Sequence, residues 1–171
     1  MWQFRVITWI ILYLLGLLVE TALLPHVFPV GYVPNLVLPL TVIIALYETP
    51  RRGLLAGLVG GLMQDLWAGR LWGVNALTFA LLGFAVAQLE SRIVRDSVFV
   101  PGLLAGLAQL LVLPFQWLLL RLVGFSFPWS DFMRPLPVWL LFSMLVTPAI
   151  GGILGFRARH EVESKYSRYA R

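Results

Sequence analysis

Two carboxylates stand in apolar surroundings: Glu20 in VITWIILYLLGLLVETALL and Asp65 at the end of GLLAGLVGGLMQD. An acid in such a setting is costly unless it is paired or used. Asn75, Gln116 and Arg121 fall at a comparable position along their own apolar segments. These five form a candidate buried polar cluster in which Arg121 neutralises Glu20 or Asp65. Its use is open among a structural plug that fixes helix register, a partner surface or vestigial pocket, and a transport or catalytic site. Two carboxylates suggest proton relay, but no chain of further acids runs through the apolar segments. Ser143 suggests a nucleophile, but no histidine lies in its own or another apolar segment to act as base. No acidic cluster suits a metal-dependent phosphotransferase. Cysteine is absent, and His26 and His160 lie at opposite ends of the chain, so no metal cluster is expected. The expectation is a protein with no catalytic, cofactor or metal site.

The elements that position these residues are membrane spans. Of 171 residues, 60% are hydrophobic and 12% charged, against roughly 25% charged in an average soluble domain. The net charge is +5 and twelve of the thirteen basic residues are arginine. They sit in short loops and the tail, where they set membrane orientation, so nucleic acid is not the expected partner.

Six spans are expected, at about 6–24, 35–47, 53–67, 73–89, 98–120 and 136–156, making residues 1–156 one all-α polytopic domain ahead of a basic tail, 157–171. The first resembles a signal peptide but is too long, contains Glu20 and lacks a small-x-small cleavage site. The second is short and interrupted by Pro39, so its crossing is the least secure. With the N-terminus inside, ten Lys and Arg fall on the cytoplasmic side and three (Arg70, Arg121, Arg134) outside. That asymmetry favours an even number of spans with both termini cytoplasmic.

Glycines concentrate in one stretch: Gly53, Gly57, Gly60, Gly61, Gly69 and Gly73. Glycine costs about 1 kcal/mol relative to alanine within a helix. In a membrane that cost is offset where a second helix lies on the bare backbone. All six glycines are therefore expected to pack helix on helix, with the third span at the bundle centre. Gly102 and Gly106 form a further small-residue pair. Phe125, Phe127, Trp129 and Phe132 crowd a loop. They are expected either to lie in the headgroup layer or to form a docking patch for a partner outside the cytoplasm.

The stretch PNLVLPLTVIIALYETPRRGLLAGLVGGLMQDLWAGRLWGVNALTFALLGFAVAQL resembles the MreD family of bacterial rod shape-determining proteins. The resemblance rests on Pro34-Asn35 (commonly Pro-Asp in the family) opening the second span, a charged turn, Arg52-Gly53, Gly57, Gly61, Asp65, Gly69, Gly73, Ala76-Leu77 and Gly83. It implies a six-span inner-membrane protein of the cell-elongation machinery, with no known enzymatic activity and no cofactor. The implied partners are MreC and, through it, the MreB filament, RodA and a class B penicillin-binding protein; self-association stays open. Gly57, Gly61, Asp65, Gly69 and Gly73 match motif positions, with an implied structural role. The family fold is similar to the S-components of energy-coupling-factor transporters. That supplies the alternative, a substrate-binding S-component of a vitamin transporter, although the first span lacks the Ala-x-x-x-Ala face such a protein would use.

Overall fold

The computed structural model describes residues 2–69, 73–90, 99–126 and 128–169. They form α1 (Trp2–Ala22), α2 (Leu24–Val27), α3 (Val37–Leu46), α4 (Pro50–Ala68), α5 (Val74–Glu90), α6 (Phe99–Leu122), α7 (Trp129–Met133) and α8 (Leu136–Tyr169). Among the described residues there is no strand. Among the described residues three stretches are long and apolar enough to cross a membrane: Val6–Val27, Phe99–Leu122 and Trp129–Ile153. Val37–Leu46 and Val74–Leu89 are shorter apolar helices. This is an all-helical architecture compatible with a membrane protein.

The start and stop of each helix follow local chemistry. The side-chain oxygen of Asn35 accepts hydrogen bonds from the backbone N–H of Val37 (2.7 Å) and Leu38 (3.2 Å), capping α3. Asparagine and aspartate cap equally well, so Asn35 does here what an aspartate would do. Pro50 opens α4, where its missing N–H costs nothing. Gly69 closes the same helix at φ 65°, its N–H bonded to Asp65 O, a left-handed stop that glycine adopts without strain.

The centre of the bundle is α3. Every residue from Val37 to Ala45 is buried, and α1, α4, α5, α6 and α8 all pack on it. Its apolar character on all sides makes that burial favourable. At about 15 Å it is too short to cross a bilayer core alone. The expectation that the glycine-rich helix would be central is corrected: α4 buries one face and exposes Leu55, Leu62, Leu66 and Trp67. At the other end of the chain α8 does not stop at 156 but continues as helix to Tyr169.

The buried face of α4 is the glycine face. A Cβ on Gly53 would collide with the carbonyl oxygen of Gly83, one on Gly57 with that of Phe79, and one on Gly61 with that of Asn75. Each step of four up α4 meets a step of four down α5, so the two helices run antiparallel with backbones in contact. Gly60 faces α1 instead, where a Cβ would lie 2.6 Å from the Tyr13 ring. A second close pair joins α6 to α8: a Cβ on Gly102 would lie 2.5 Å from Met144 O, and one on Gly106 would meet the Met144 side chain.

Gly69 and Gly73 serve a different purpose from the one expected. Nothing lies within 4 Å of a Cβ at either position, and their φ angles are 65° and 102°. They end α4 and lead into α5. No helix packs on them, and their value is the positive φ that other residues adopt at a cost.

Candidate functional site

Asp65 occupies the next step of the glycine ladder. At Gly61 the helices touch; four residues on, α5 has just begun and its first N–H groups have no partner within the helix. The Asp65 carboxylate fills that gap. Oδ2 accepts from Gly73 N (2.8 Å) and Ala76 N (3.0 Å), and Oδ1 accepts from Asn75 N (3.2 Å). The residue is 1% exposed. Three charge-assisted bonds at a helix N-terminus, with the helix dipole behind them, hold the buried charge without a cation.

The expected pairing of Asp65 or Glu20 with Arg121 is therefore corrected. Arg121 is exposed, and its guanidinium carbon lies 4.8 Å from the Trp117 ring centroid, a cation–π contact. Glu20 repeats the logic of Asp65 at another helix: its Oε2 accepts from Leu36 N at 2.8 Å, at the start of α3. Both acids satisfy helix N-termini, and neither needs a cation to do so.

Three of the five expected cluster residues do come together. Gln116 Nε2 donates to Asn75 Oδ1 at 2.7 Å, tying α6 to α5. Glu20, Asn75 and Gln116 share the wall of a cavity of 260 Å³. Asp65 anchors the backbone of Asn75 and so positions its side chain. Gln64 and Gln109 line the same cavity. Gln109 stands seven residues before Gln116 on α6, hence on the same face; that spacing was the signal for it. Gln64 gave no comparable signal beyond its place beside Asp65.

The described aromatics of the loop have different surroundings. Trp129 packs edge-on against Trp117, with ring centroids 5.0 Å apart. Phe132 turns inward to line the cavity, and Phe125 is exposed. Phe127 lies outside the described residues. The opposite wall is fastened by Trp139, whose indole N–H donates to Tyr32 O at 3.1 Å. Phe28 stacks edge-on against Phe142 at 5.9 Å. These contacts bind the connection between α2 and α3 to α8.

Sequence reading missed Tyr13. It is fully buried, packs over Gly60 and lies 3.1 Å from Thr41 Oγ1. The Thr41 hydroxyl donates to Val37 O at 2.8 Å, which leaves Tyr13 as the donor to Thr41. One side chain thus links α1, α3 and α4.

Searches of curated proteins and of solved structures find no match to the chain. The family model described as rod shape-determining protein MreD matches residues 2–150, which include the glycine ladder, Asp65 and every described wall of the cavity; the chain belongs to the MreD family.

Proposed function

We propose that this protein is a non-catalytic scaffold of the bacterial elongation machinery. It lies in the inner membrane with six membrane-embedded segments and both termini in the cytoplasm. It binds MreC and through MreC helps position the MreB filament, RodA and a class B penicillin-binding protein. Family membership supports the rod-shape role. The charge asymmetry of ten basic residues against three supports the orientation.

The observation that carries the scaffold reading is the use made of Asp65. The carboxylate of the family motif has both oxygens accepting backbone hydrogen bonds from α5. A group so committed fixes one helix against another and is not poised for proton transfer. The apolar face of α1, with Ile7, Ile11, Leu14 and Leu18 exposed, is free for lipid or for a partner's helix.

A second reading, an S-component of a vitamin transporter, is favoured by the cavity and the polar groups set in its wall. Affinity purification of the tagged chain from its native membrane, followed by mass spectrometry, separates the two. Recovery of MreC with wall synthases supports the scaffold. Recovery of paired ATPases with a membrane coupling subunit rejects it.

A further inference from the structure

The wall of the 260 Å³ cavity is mostly apolar, with five carboxamides and Glu20 set into it. It lies where α1 ends, where α3 and α5 begin, and beside the second half of α6. Gln64 Oε1 is buried and accepts no hydrogen bond. An orphaned buried acceptor is costly, and a native structure keeps one for a reason. Gln109, only 3% exposed, also faces this space. Gln116 and Asn75 spend one donor and one acceptor on each other, so the Gln116 oxygen and the Asn75 amide hydrogens remain. Glu20 keeps one carboxylate oxygen after accepting from Leu36 N.

This wall selects a chemistry. Among the described lining residues there is no Lys or Arg, so this part of the wall offers phosphate and carboxylate ligands no counter-charge and presents Glu20 to them. Amides that offer acceptors and donors together match groups that also do both, which is the property of hydroxyls. The indole N–H of Trp139 is already spent on Tyr32, so Trp139, with Phe132, contributes ring surface suited to the C–H face of a sugar. The volume is just below the roughly 300 Å³ at which small-molecule pockets begin. That is room for one ring and not for a chain of them.

We propose that this cavity binds a neutral polyhydroxylated ring, a single sugar unit of the pyranose class, held by Gln64, Gln109, Gln116 and Glu20 against the rings of Phe132 and Trp139. The proposal needs only the cavity and stands whether or not the protein holds MreC.

The test is thermal unfolding of the full-length protein in lipid nanodiscs. The probes are methyl glucoside and N-acetylglucosamine, with glucose 6-phosphate and ethanolamine as charged comparisons. A ligand of the native state raises the midpoint in proportion to the logarithm of its concentration above Kd. At least one neutral sugar is expected to do so. Gln64→Leu and Gln109→Leu should each weaken its binding by about tenfold or more while leaving the unliganded midpoint at or above wild type. Should a leucine variant fail to accumulate, Gln109→Asn shortens the same amide and should weaken binding too. No shift with either sugar, equal shifts in wild type and the variants, or a larger shift with the phosphate or the amine would overturn the proposal.

Discussion

The Asp65 carboxylate accepts a hydrogen bond from the Gly73 backbone N–H at 2.8 Å, joining the end of α4 to the start of α5. Two further bonds, from Asn75 and Ala76, make the same side chain the N-terminal cap of a neighbouring helix. A cap supplied from another helix requires that the two backbones already touch. The ladder of Gly53, Gly57 and Gly61 against α5 provides that contact.

Asp65→Asn keeps the shape and one acceptor oxygen but removes the charge. It should destabilise the protein by about 1–2 kcal/mol, the scale of a lost cap. Asp65→Leu removes the acceptor of three backbone donors, one buried and two part-buried, and should cost about 3 kcal/mol or more. Denaturant titration in detergent, monitored by helical signal, measures both. An Asp65→Leu variant as stable as wild type would show that the cap is dispensable.

Arg121 and Asp65 do not touch, so their substitutions should act independently. Asp65→Asn combined with Arg121→Gln is expected to show the sum of the single effects within about 0.5 kcal/mol. A rescue of Asp65→Asn by Arg121→Gln would instead reveal an ion pair between them.

Glycines in the same stretch should differ sharply in tolerance. Gly57→Ala places a methyl group against the Phe79 carbonyl, a backbone atom that cannot rotate away, and should cost about 3 kcal/mol, the upper end for overpacking. Gly69→Ala meets open space and pays only for a left-handed conformation, about 1–2 kcal/mol. Accumulation of each variant in the membrane, followed by its thermal midpoint in detergent, gives the ranking. Equal tolerance at the two positions would contradict the division into ladder and turn glycines.

Tyr13→Phe removes the hydroxyl that donates to Thr41 and keeps the ring on Gly60. The expected loss is about 0.5–1.5 kcal/mol. Gly60→Ala displaces the same ring, so the two changes should combine to less than their sum in a double-mutant cycle. Strict additivity would mean that the Tyr13 ring and Gly60 are not coupled.

The glycine ladder was legible in the sequence because helix geometry converts a spacing of four directly into a shared face. Gly69 and Gly73 carried the same spacing but lay where the helix ends, and a spacing rule cannot tell a packed glycine from one chosen for its φ. The partner of Asp65 was illegible for a related reason. Charge suggested Arg121, whereas the acceptor was met by backbone N–H groups that every residue possesses. The central position of α3 was hidden by its length: a short segment reads as a weak span, though an apolar surface on every side was the sign of full burial. Gln109 and Gln116 showed their common face through a seven-residue spacing, while the cavity they border depends on seven separate helices meeting.

The scaffold reading is tested most directly by mixing the purified chain with MreC in nanodiscs and weighing the product by native mass spectrometry. A stable complex of the two proteins is predicted, and Gly57→Leu, which cannot close α4 on α5, should abolish it. Separate peaks for the two wild-type proteins at micromolar concentration would contradict the proposal that this protein holds MreC.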